Sequence, residues 1–185
     1  MSQLNGKLDW SFDKGWSWIA VINVTPTGQM RRKVIAEMGS RIGGSPQLLI
    51  QLDILDRLSC VITDRTGAQF STIPIPPEKF ALRTTWIMVQ IICDPFDPAT
   101  TLRTLRVTIS VQGQVLTGEL VATGDFGGPV EEGAHSVGAS LQETDPATFR
   151  LAELVTIGRA PLTPQEIENL EAYFHQKHQM GGADG

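Results

Sequence analysis

With 185 residues and 41% hydrophobic content, the chain has the size of one domain with a sizeable core. A net charge of −5 and a sequence pI near 5.2 exclude a broad basic face, so no nucleic-acid partner is expected. The densest positive cluster, Arg31-Arg32-Lys33, reads as ordinary surface. No stretch approaches the roughly 20 apolar residues of a membrane span, and no membrane partner is expected.

Met1 to Lys7 lacks the apolar core and small residues of a secretory leader. The chain is therefore expected to remain in the cytoplasm where it is made. These residues and Met180 to Gly185 read as flexible ends of a single domain whose core spans about 8–179.

Short β-rich runs then follow one another, separated by turn residues. Trp16 to Val24 stops at Thr25-Pro26-Thr27-Gly28, and Lys33 to Met38 stops at Gly39. Gln47 to Ile54 follows the breaker Gly43-Gly44-Ser45-Pro46. Leu58 to Thr63 and Gln69 to Ile75 flank Asp64-Arg65-Thr66-Gly67, a hairpin turn. Pro74, Pro76 and Pro77 interrupt pairing and mark a longer loop or an edge.

Thr84 to Cys93 is the most hydrophobic run and suits a central strand. Asp94-Pro95-Phe96-Asp97-Pro98 is a loop. In Leu102 to Val111 the residues Leu105, Val107, Ile109 and Val111 face one way, and Arg106, Thr108 and Ser110 the other. Val115 to Val121, Ala134 to Ala139 and Phe149 to Ile157 complete the set.

One helix is expected, at the end. Thr163-Pro164-Gln165-Glu166 is a capping box with proline at the first helical position. Ile167, Leu170 and Phe174 share one face, and His175, Lys177 and His178 fall in the last turn, where positive charge is favoured. Strands without interleaved helices favour two packed antiparallel sheets over a parallel α/β fold. Cys60 and Cys93 sit in apolar runs and read as buried thiols, although spacing alone leaves a disulfide open.

Phe149 to Ile157, followed by Arg159-Ala160-Pro161-Leu162-Thr163-Pro164-Gln165-Glu166-Ile167 and Leu170-Glu171-Ala172-Tyr173-Phe174, resembles the ending of concanavalin A-like (laminin G-like) domains of bacteria and phages. Trp16 to Val24 and Leu102 to Val121 resemble that family more loosely, with Gln112-Gly113 where its Asn-Gly turn would stand. The resemblance implies an all-β, two-sheet antiparallel jelly-roll sandwich with one C-terminal helix. It implies no particular activity, because the fold hosts lectins, glycan hydrolases, adhesion domains and virion proteins.

Glucanases of this fold carry E-x-D-x-x-E on one strand, where two carboxylates act as nucleophile and acid. The nearest match, Gln51-Leu52-Asp53-Ile54-Leu55-Asp56, offers an amide at the nucleophile position, and Glu143-Thr144-Asp145-Pro146-Ala147-Thr148 lacks the last acid. No serine lies in a G-x-S-x-G turn, and His135 reads as a loop or strand-start histidine. The chain is thus read as non-catalytic.

His175 and His178 lack a carboxylate or cysteine at matching spacing and read as helix-end charge rather than metal ligands. Calcium is the ion the resemblance implies. Asp94, Asp97, Glu131 and Glu132 offer oxygens for it but not an EF-hand spacing, so no cofactor is expected.

Trp16, Trp18 and Trp86 read as core. The binding candidates are Trp10, in a polar segment, and Phe96 with its flanking Asp94 and Asp97. Two functions follow: a recognition module that binds glycan or protein surfaces, or a phage virion component that works through self-association or a protein assembly partner. A cryptic glycan hydrolase is the third.

Overall fold

The computed structural model describes residues 4–8, 14–39, 47–82, 84–116, 118–126, 133–138, 147–158 and 160–180. The strands are β1 (Leu4–Leu8), β2 (Trp16–Val24), β3 (Lys33–Gly39), β4 (Gln47–Leu52), β5 (Leu58–Thr63) and β6 (Gln69–Ser71). They continue with β7 (Ile87–Cys93), β8 (Arg103–Val111), β9 (Gln114–Val115), β10 (Leu120–Gly124), β11 (Gly133–Val137) and β12 (Phe149–Ile157), and α1 is Pro164–His178. One sheet has the order β1-β11-β3-β4-β5-β6 and the other β10-β8-β7-β2-β12, with β9 paired to β8. Every pairing in both sheets is antiparallel. The chain is therefore the two-sheet sandwich with a terminal helix that its sequence implies.

The inward rows of the two sheets build one core. Trp16, Trp18, Ala20, Ile22 and Val24 of β2 meet Leu48, Ile50 and Leu52 of β4 and Leu58, Cys60 and Ile62 of β5 in it. The alternating row Leu105, Val107, Ile109 and Val111 of β8 points the same way. Both thiols are free and buried here. Burial pushes Cys60 up to about 12. It pushes Cys93 up to about 11, against the pull of nearby Arg103.

All nine residues of β2 are buried, which an alternating strand in a two-layer sandwich would not be. Its second row is covered by other means. Ile19 and Val21 lie with Met88 under Phe174 and Met180, flanked by Trp86, Ala152, Val155, Leu162 and Leu170. Ser17 Oγ accepts the Leu162 N–H at 2.8 Å. Asn23 Nδ2 donates to the carbonyls of Leu82 and Thr85 at 3.2 and 2.6 Å, so this buried amide is bonded. Fully burying a side chain such as Phe174 stabilises by about 1.5–3 kcal/mol.

The helix starts as its sequence predicts. Thr163 Oγ1 accepts the Glu166 N–H and the Glu166 carboxylate accepts the Thr163 N–H, a reciprocal capping box with Pro164 at the first helical position. Phe174 is the buried residue of its apolar face and Leu170 packs beside it, while Ile167 is half-buried.

Several strand boundaries differ from expectation. Leu4–Leu8 pairs with β11 as an edge strand, where the sequence reading placed a loose end. Val115 to Val121 is divided into β9, which ends at Val115 after the turn at Gln112 and Gly113 (φ 49° and 79°), and β10, which begins at Leu120. Gln69 to Ile75 keeps only three strand residues, after which Ile75 bridges Leu58 between Pro74 and Pro76.

Candidate functional site

The loops gather at two opposite rims. At one end of the sheets lie the β7–β8 loop (94–102), the β5–β6 hairpin, the end of β10 and the entry to α1. The Arg65 N–H donates to the Asp125 carbonyl at 2.9 Å, tying the two sheets at this end. Phe70 and Phe126 meet edge to face at 6.1 Å below that bond. Gly15, with φ at +73°, is pressed into the same rim: a Cβ there would stand 2.5 Å from the Cys93 carbonyl oxygen and 3.0 Å from Pro161 Cδ. Only glycine fits.

Three of the four sequence candidates lie on the 94–102 loop, and each has a partner within the fold. Asp94 Oδ2 accepts from Arg106 Nη2 at 2.6 Å, and the Asp94 N–H donates to the Thr104 carbonyl at 2.9 Å. Asp97 Oδ1 accepts the Ala99 N–H and Oδ2 the Thr100 hydroxyl, both at 2.9 Å. These bonds, the Ala99 amide first, hold the Asp97 carboxyl below the usual carboxylate range. Phe96 is half-buried, with the Arg103 guanidinium 5.4 Å from its ring centroid. Trp10, Glu131 and Glu132 lie outside the described residues, as do the 143–146 acids.

Arg103 is the feature that sequence reading missed. It stands two residues before Leu105, in the inward phase of β8, and is buried. A cation in an otherwise apolar row was the available signal.

The carboxylates of the glucanase-like segment occupy the opposite rim. β4 ends at Leu52, so Asp53 and Asp56 fall in the β4–β5 turn and do not share a strand face. Asp53 accepts from the Leu55 and Arg57 amides at 2.8 and 3.0 Å and from Arg57 Nε at 2.7 Å. Partial burial raises its carboxyl, but the Arg57 bonds outweigh this and the net shift is downward. Asp56 is buried against Lys33, whose Nζ it binds, and its second oxygen accepts the Thr27 and Gly28 amides at 3.1 and 2.6 Å. Both groups are occupied in holding loops. Among the described residues, no three histidine, cysteine, aspartate or glutamate side chains converge on one point.

His178 of α1 takes part in a helix-end cluster. Glu153 binds Lys177 Nζ and lies 3.4 Å from His178 Nε2. The Lys177 bond is the main cause that holds the Glu153 carboxyl below its ordinary range. The His178 ring centroid stands 5.4 Å from that of Trp86.

No family model matches the sequence, and no curated protein matches it. Among solved structures, the binding domain of botulinum neurotoxin serotype D aligns with a TM-score of 0.57 and 10% identity, over 92% of this chain and 40% of that one. The full-length tailspike protein 2 of Escherichia coli O157:H7 bacteriophage CAB120 aligns with a TM-score of 0.55 and 12% identity, over 92% and 23% of the two chains. A Trypanosoma rangeli sialidase in complex with sialic acid aligns with a TM-score of 0.57 and 11% identity, over 91% and 24%. The chain thus spans less than half of each of these structures. At such identities the likeness is one of fold: a β-sandwich shared with receptor-binding domains, a tailspike and a sialidase.

Proposed function

We propose that the chain is a non-catalytic recognition module of the concanavalin A-like (laminin G-like) kind. It binds a glycan or protein surface through the rim that carries Asp94, Phe96 and Asp97; Trp10, outside the described residues, is the other aromatic candidate. The observation that carries this reading is the use of the described carboxylates. Asp53, Asp56, Asp94 and Asp97 each hold a loop through internal bonds, and none faces another as an acid–nucleophile pair. What the rim offers instead is a loop stiffened in advance, which lowers the ordering cost of binding. The neurotoxin neighbours support this, since they are binding domains and one was solved in complex with SialylT. No calcium or other cofactor is assigned to the site.

The second reading is a virion component that self-associates or docks in an assembly, and the tailspike neighbour favours it. A glycan array run beside light scattering separates the two. Recognition predicts a defined sugar or protein ligand whose binding drops at least tenfold in Phe96→Ala or Trp10→Ala. Concentration-dependent assembly, with no ligand and no effect of either substitution, overturns recognition in favour of the virion reading.

A further inference from the structure

The rim opposite the 94–102 loop exposes large aliphatic side chains on three separate loops. Met30, on the β2–β3 loop, is 81% exposed; Ile54 and Leu55, in the β4–β5 turn, are 56% and 55%; Ile73 and Leu82, on the β6–β7 connection, are 68% and 70%. Packing did not force them outward, since Ile75 and Phe80 on the same connection are buried. The fold brings the loops together. Asp56 binds the Thr27 and Gly28 amides and Lys33, Ile75 bridges Leu58, and Asn23 at the end of β2 holds the Leu82 carbonyl. Asp53 fixes the turn bearing Ile54 and Leu55 through the Leu55 and Arg57 amides.

Each aliphatic group has a cation close in sequence. Arg31 and Arg32 follow Met30, Arg57 follows Leu55, and Lys79 lies between Ile73 and Leu82. Arg31, Arg32 and Lys79 are exposed, and Arg57, paired with Asp53, keeps a 42% exposed side chain. Against these, the solvent-facing carboxylates among the described residues of the three loops are Asp53 and Glu78. In a chain of net charge −5 this rim is locally cationic.

Two copies meeting rim to rim would bring these cations face to face, which opposes a symmetric dimer here. Aliphatic tips on separate, tethered loops, each with its own cation, match an anionic lipid surface: the tips enter the acyl boundary while arginine and lysine meet the headgroups. No helix among the described residues is long and apolar enough to cross a membrane.

We propose that this rim docks on an anionic lipid bilayer, with Met30, Ile54, Leu55, Ile73 and Leu82 inserting and Arg31, Arg32, Arg57 and Lys79 contacting headgroups. This site is distinct from the recognition rim and stands or falls separately from it. The test is vesicle flotation of the full chain with phosphatidylcholine alone and with about 30% phosphatidylglycerol added.

Binding is expected to the anionic vesicles, falling about tenfold between low and high salt. The double substitution Met30→Ser with Leu82→Ser should weaken it about tenfold or more without moving the thermal midpoint, because both side chains are exposed. Phe96→Ala, at the other rim, should leave it unchanged. Failure to float with anionic vesicles, or flotation indifferent to the double substitution, overturns the proposal. So does a concentration-dependent mass that the double substitution abolishes without vesicle binding, which would assign the rim to a protein contact.

Discussion

Both rims use an aspartate to gather loop amides, and the two aspartates live in different surroundings. Asp97 binds the Ala99 amide and the Thr100 hydroxyl on an exposed loop. Asp56 binds the Thr27 and Gly28 amides while buried against Lys33, with side-chain exposures of 7% and 2% for the pair. The same chemistry thus gives a local, water-competed turn at one end and a cross-loop anchor at the other. Where water is excluded, removing one partner strands a charge. Where water is present, it takes the missing partner's place.

The largest expected effect tests the buried anchor. Lys33→Ala leaves the Asp56 carboxylate buried and unpaired, and should destabilise the fold by about 3–5 kcal/mol in urea unfolding. A loss below about 1 kcal/mol would put this pair on the same footing as a surface one and break the comparison. An intermediate effect is expected at the helix entry, where Thr163→Ala removes a solvent-exposed cap and should cost about 1 kcal/mol. The smallest belongs to the exposed rim. Arg106→Ala removes a pair with side chains 42% and 28% exposed, and should cost no more than about 1 kcal/mol, less in high salt. A loss as large as that of Lys33→Ala would mean that Asp94 anchors its rim as Asp56 does.

The periodic parts of this fold were readable. The apolar row of β8 alternates, the β2 run is bounded by a Pro-Gly turn, and the helix announces itself by a capping box, so each is specified by neighbours in sequence. β1 was not readable, because Leu4-Asn5-Gly6-Lys7-Leu8 carries little β-propensity and is a strand through its partner β11. At the 94–102 rim the residue types flagged the loop, but not that Arg106 and the loop's own amides occupy its acids. Arg31-Arg32-Lys33 looked like one surface cluster. In the fold Lys33 turns inward to Asp56 while Arg31 and Arg32 remain outside. The aliphatic crown was invisible for a related reason: its members lie on three loops that only the tertiary contacts unite.

The burial of all nine residues of β2 bears on how such a chain can change over generations. A substitution anywhere in Trp16–Val24 is felt between the sheets, under the helix, or in the bonds of Ser17 and Asn23. No position along it is silent, so substitutions are better tolerated away from this strand. Loops can therefore be exchanged at either end while this strand, and the architecture built around it, is inherited intact.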